Sequence, residues 1–80
     1  MKYIKTIDYK DNIYVNIYAN GYQFYHLATG HNHHRLDGPA ILCDYNNYMG
    51  YYIDGKTYIN FIEYIRDVIK FKKGENNEMS

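Results

Sequence analysis

The chain places His31, His33, His34, Arg35 and Asp37 within seven residues, and His26 is its only other histidine. An arginine can grip a carboxylate or phosphate with two parallel hydrogen bonds, and a neighbouring imidazole can add a donor. One reading is an anion site, with Asp37 orienting Arg35, but the structural reading of the same residues is the stronger. Asp37-Gly38-Pro39 is turn chemistry, and Arg35 can bridge neighbouring hairpins as a staple. Metal ligation is a poor fit, because contiguous histidines in a loop rarely supply tetrahedral geometry, and no cysteine pair or His-x-x-x-His helix supports them. Nucleophilic catalysis has equally little to build on. Cys43 is the single cysteine, Ser80 lies in the tail, and Asp8, Asp11, Asp37 and Asp54 all fall at expected turns. The residues therefore describe a binder without cofactor, metal or catalytic centre.

These side chains must be positioned by a small domain. Eighty residues bury a modest core, which disulfides, a metal or self-association usually reinforce. One cysteine excludes an intrachain disulfide and suits a reducing compartment, the cytoplasm. No run approaches the ~18 apolar residues of a membrane span, and the N-terminus lacks a signal-peptide pattern. Nine basic residues balance nine acidic ones, which argues against general nucleic-acid binding. The compositional bias lies in twelve tyrosines against three phenylalanines and no tryptophan. Tyrosine suits half-exposed strands and contact surfaces alike.

Ile13, Val15 and Ile17 alternate with Tyr14, Asn16 and Tyr18, the period of a half-buried strand. Asn20-Gly21 signals a type I′ hairpin into a second strand over 22–28. Further strands are expected over 40–45 and 48–53, with turns at Asn46-Asn47 and Asp54-Gly55, a last strand over 56–58 and an additional strand over 3–7. Asn60 and Glu63 form a capping signal for a helix over 60–73, which Gly74 is placed to stop. Ile62, Ile65 and Ile69, flanked by Phe61 and Val68, are its expected buried stripe. Residues 75–80 read as a solvated tail after a single domain over 1–74. By strand parity Tyr14, Tyr18, Tyr22, His26, Tyr48 and Tyr52 share the other sheet face, an aromatic ladder that can stack a planar base or a partner.

The sequence also overlays itself at an offset of 26 residues, giving imperfect repeats over about 8–30 and 34–55. Asp11 falls on Asp37, Asn20-Gly21 on Asn46-Asn47, Tyr22 on Tyr48 and Tyr25 on Tyr51. Ile41 and Cys43 overlay Val15 and Ile17, which assigns them to the buried face. The fold class is α+β, mainly β: a meander of antiparallel hairpins in two repeats with one C-terminal helix. Its open sheet edges favour pairing, so a homo-oligomer is expected.

The segment His34-Arg35-Leu36-Asp37-Gly38-Pro39-Ala40, followed by Tyr51-Tyr52-Ile53-Asp54-Gly55-Lys56-Thr57-Tyr58, resembles the MORN-like variant repeat proteins with an H-R-x-D-G-P-A signature. These are common in bacteriophages and large viruses. The resemblance spans roughly residues 8–71, with one good signature copy and one degenerate copy at 9–13, too few for a long solenoid. It implies β-hairpins, no general catalytic constellation, and an accessory role against a host. The expected function is stoichiometric counter-defence: binding a host defence protein, or sequestering a nucleotide-like ligand, through Tyr25, His33, His34, Arg35, Asp37 and Tyr52. The alternatives are a structural or antitoxin-like repeat module without a ligand and, behind it, a small metal-dependent enzyme.

Overall fold

A computed structural model describes residues 2–77. Six strands, β1 (Tyr3–Asp8), β2 (Ile13–Tyr18), β3 (Tyr22–Leu27), β4 (Ile41–Cys43), β5 (Tyr48–Ile53) and β6 (Lys56–Tyr58), form one antiparallel meander in sequence order. The helix α1 (Phe61–Asn77) follows. This is the mainly β architecture that the alternating pattern predicts.

The turns explain the register. Gly21 alone in the first repeat's loop has positive φ, at 90°, and its amide donates to the Tyr18 carbonyl at 3.0 Å. The loop is thus a type I turn closed by a left-handed glycine, not the expected type I′ pair. Asn47, with φ 57°, holds the equivalent place in the second repeat. There, however, four residues separate Cys43 from its partner Tyr48, whereas in the first hairpin Ile17 pairs with Gln23. The second hairpin is slipped by one residue relative to the first, and a one-residue slip exchanges the faces of a strand. Leu42, rather than Ile41 and Cys43, therefore packs on the core cluster of Ile13, Val15, Tyr25 and Ala40. Cys43 is still buried, but it pairs with Tyr22 and Tyr48 on the opposite face. At Asp54-Gly55 both residues have positive φ, giving the type I′ turn that joins β5 to β6.

The helix starts where the capping signal places it. The Asn60 side-chain oxygen accepts the Ile62 amide at 2.8 Å and the Glu63 amide at 3.2 Å. Its buried side is different from the expected one. Tyr64 and Val68 are buried and Phe71 packs beside them, together with Leu36, Ile53, Tyr51 and Tyr58. Ile62, Ile65 and Ile69 are exposed. Gly74 does not stop α1, which continues to Asn77; residues 75–77 of the expected tail are helical, and 78–80 lie outside the described residues. Among the described residues the helix contacts β5 and β6 alone of the strands, so it covers one end of the aliphatic sheet face. Among the described residues no helix is long and apolar enough to cross a membrane.

Candidate functional site

Between β3 and β5 the chain makes two passes. Residues 32–35 run first along the C-terminal part of β3. Leu27 donates its amide to the Asn32 carbonyl at 2.8 Å, and His34 donates to the Tyr25 carbonyl at 3.0 Å. On their other side Arg35 donates to the Tyr52 carbonyl at 3.2 Å, and Gly55 to that of His33 at 2.8 Å. The chain then leaves the sheet at Leu36-Asp37-Gly38-Pro39 and re-enters at Ala40, whose amide and carbonyl bond Gly50 and Tyr25 at 2.8 and 2.7 Å. The signature segment is thus a loop wedged between two strands of different repeats.

Its side chains close the wedge. The Arg35 guanidinium lies 4.1 Å from the Tyr25 ring centre and donates to Asp37 Oδ1 at 2.9 Å and the Pro39 carbonyl at 3.1 Å. Tyr9 accepts from Arg35 at 3.3 Å and donates to Asp37 Oδ2 at 2.7 Å. Lys10 Nζ stands 3.0 Å from the same oxygen. Burial pushes the Asp37 carboxyl up, but the bonds from Tyr9, Lys10 and Arg35 outweigh it and hold the group at about 2. From α1, the buried Tyr64 hydroxyl shares its proton between the Arg35 carbonyl at 2.7 Å and the Gly38 carbonyl at 2.9 Å, and accepts the Gly38 amide at 3.3 Å. Gly38 gives room to the guanidinium: a Cβ there would stand 3.0 Å from the Arg35 guanidinium carbon, which would have to shift by a few tenths of an ångström.

The six expected binding residues thus meet along the backbone, but their side chains point three ways. Tyr25, Arg35 and Asp37 form the stapled network, with Arg35's donors turned inward. His34 is buried, accepts the Asp54 amide on Nδ1 at 2.8 Å and lies 5.1 Å from the Phe71 ring. His33 and Tyr52, 5.2 Å apart, belong to the opposite sheet face. Tyr9 and Tyr64 complete the network and were not among the expected residues. A signal for Tyr9 was available, since it occupies the repeat position of Arg35.

The opposite face carries a continuous run of rings. His26 and His33 are 4.7 Å apart, Phe24 lies 5.9 Å from His33, and Tyr14 stacks on His26 at 5.2 Å. Tyr18, Tyr22 and Tyr48 extend the run through Phe24 and Tyr22. His26 Nδ1 donates to the His31 carbonyl at 3.1 Å, and the His31 ring meets the Tyr14 hydroxyl at 2.9 Å. Burial, above all, lowers the pKa of both His26 and His33, and each feels a neighbouring imidazole, that of His31 and His26 respectively. Gly50 makes room for this layer, since a Cβ there would meet the Tyr52 ring at 3.2 Å and the Tyr48 hydroxyl at 3.3 Å. By register, no lysine or arginine of any strand falls on this face, and Asp8 is its one carboxylate. Among the described residues no three His, Cys, Asp or Glu side chains are grouped to hold a metal ion.

Comparison of the chain with protein-family models, curated proteins and solved structures finds no match.

Proposed function

We propose that this protein is a non-enzymatic, stoichiometric binder of a partner protein, working through the uncovered aromatic face of its sheet. The observation that carries this reading is the placement of α1 on the other face, which leaves Tyr14, Tyr18, Tyr22, Phe24, His26, His33, Tyr48 and Tyr52 as one uncharged layer. Tyrosine-rich, charge-poor patches are what the centres of protein interfaces use, because the ring is rigid, large and amphipathic. A nucleotide fits less well. Its phosphates need cations, no strand supplies a lysine or arginine to this face, and Arg35 is occupied by Asp37, Pro39 and Tyr9. With the resemblance to phage and viral proteins, the role this suggests is counter-defence in the host cytoplasm, by occlusion of a defence protein.

The test is affinity capture from host cells, comparing the wild type with a Tyr18→Ser/Tyr22→Ser variant, followed by native mass spectrometry. A protein retained at fixed stoichiometry by the wild type and lost with the variant supports the reading. Equal retention by both places binding elsewhere. A small non-covalent mass on an otherwise bare wild type favours ligand sequestration instead.

A further inference from the structure

The apolar arc of α1 is wider than the sheet can cover. Tyr64, Val68 and Phe71 turn inward, while the adjoining stripe of Ile62, Ile65 and Ile69 is 77%, 40% and 51% exposed. Phe61, itself 55% exposed, joins the two sides. Beside this ridge runs an open groove of about 310 Å³ between the signature loop, β5 and the helix, lined by Leu36, Tyr51, Phe61, Tyr64 and Ile65, with Asp37 and Gly38 at its loop side. We infer that this surface is the interface of a homodimer, in which the isoleucine ridge of each copy of the chain seats in the groove of the other.

Four observations select a second copy as the occupant. A two-fold interface must be self-complementary, and here a ridge and a mostly apolar groove lie side by side on one surface. The stripe contains only β-branched aliphatics, which are stiff at χ1 and lose little side-chain freedom on docking. The area is also of the right order. Four side chains at these exposures, two of which also wall the groove, make a patch in the ~300–600 Å² range that marks interaction sites. Two such patches make about 600–1,200 Å², and their polar rims carry the total towards the lower bound of stable interfaces. The need is present too, because an 80-residue chain whose only cysteine is a buried free thiol has no disulfide to reinforce two small core clusters.

The test is sedimentation equilibrium of the untagged protein, from micromolar to near-millimolar loading. The wild type is expected to show the mass of two 9.6 kDa chains, and Ile62→Glu/Ile69→Glu the mass of one at the same loading, with an unchanged far-ultraviolet circular dichroism spectrum. Should the glutamates unfold the chain, Ile62→Ser/Ile69→Ser provides the same comparison. An Ile4→Glu variant on the edge strand β1 is expected to stay dimeric. A wild type that is a single chain throughout overturns the inference, as does a dimer that survives both helix variants or is lost only with Ile4→Glu. The aromatic-face reading stands or falls separately, since none of these substitutions touches it.

Discussion

At the scale of single residues, the signature loop is held by a few polar contacts from Arg35 and Tyr64. Tyr64→Phe removes one oxygen and keeps the ring. It leaves the Arg35 and Gly38 carbonyls and the Gly38 amide without the hydroxyl they share, which costs about 1–3 kcal/mol. Urea denaturation measures this directly, and a loss below the error of the extrapolation would show that water replaces the hydroxyl. The titratable groups give a second prediction. The folded state lowers the pKa of His26 and His33 below 6.5, mainly through burial, so below that pH the unfolded chain binds protons that the folded chain refuses. Stability is therefore full above about pH 6.5 and falls as the pH drops beneath it. Asp37 acts in a lower window, because its contribution is present above 3.8 and is lost as the pH falls towards about 2. Denaturation midpoints between pH 7.5 and 5 are expected to decline in the wild type. The decline should flatten in His26→Gln/His33→Gln, and an equal slope in both proteins would assign it to other groups.

At the scale of elements, the strands and most turns were legible because a half-buried strand writes its period into the sequence. Ile13-Tyr14-Val15-Asn16-Ile17-Tyr18 could face only two ways, and Asp54-Gly55 needs two positive φ angles that its residues tolerate. What escaped was decided by tertiary contacts. The fourth residue in the Asp44–Asn47 loop shifts β4 by one position and turns Leu42, not Cys43, to the core. Hydropathy favours the isoleucines of α1, yet the tyrosine goes inside because only its hydroxyl satisfies the carbonyls of the wedged loop. For the same reason the arginine network was only partly legible: Arg35 and Asp37 were visible as chemistry, but their satisfaction by Tyr9, 26 residues before Arg35, needed the fold. The continuation of α1 past Gly74 yields a prediction of its own. A Cβ at that position meets nothing within 4 Å, and glycine inside a helix costs about 0.5–1 kcal/mol relative to alanine. Gly74→Ala is expected to raise stability by about that amount and to increase helical ellipticity. A loss of stability would mean that the helix ends at Gly74 in solution.

At the scale of the whole molecule, the meander is elongated, measuring 45 × 25 × 16 Å with a radius of gyration of 13.2 Å. A compact chain of this length has a radius near 12 Å. A single row of strands with a helix over one end leaves two broad surfaces of different character, one of mixed rings and one of aliphatic ridge and groove. An aliphatic surface with core-like composition suits a permanent contact, and a tyrosine surface suits a partner that is met and held. If the helix face joins two copies, unfolding and dissociation are coupled, and the melting temperature depends on mass action. The wild type should then melt at a higher temperature at each step of a concentration series, whereas Ile62→Glu/Ile69→Glu should melt at one temperature throughout. Elution volume cannot make this distinction, because an elongated monomer elutes early; the concentration dependence can, since shape alone does not produce it. A wild-type melt independent of concentration would leave the isoleucine stripe exposed in a lone chain, with the two core clusters sufficient to hold the fold.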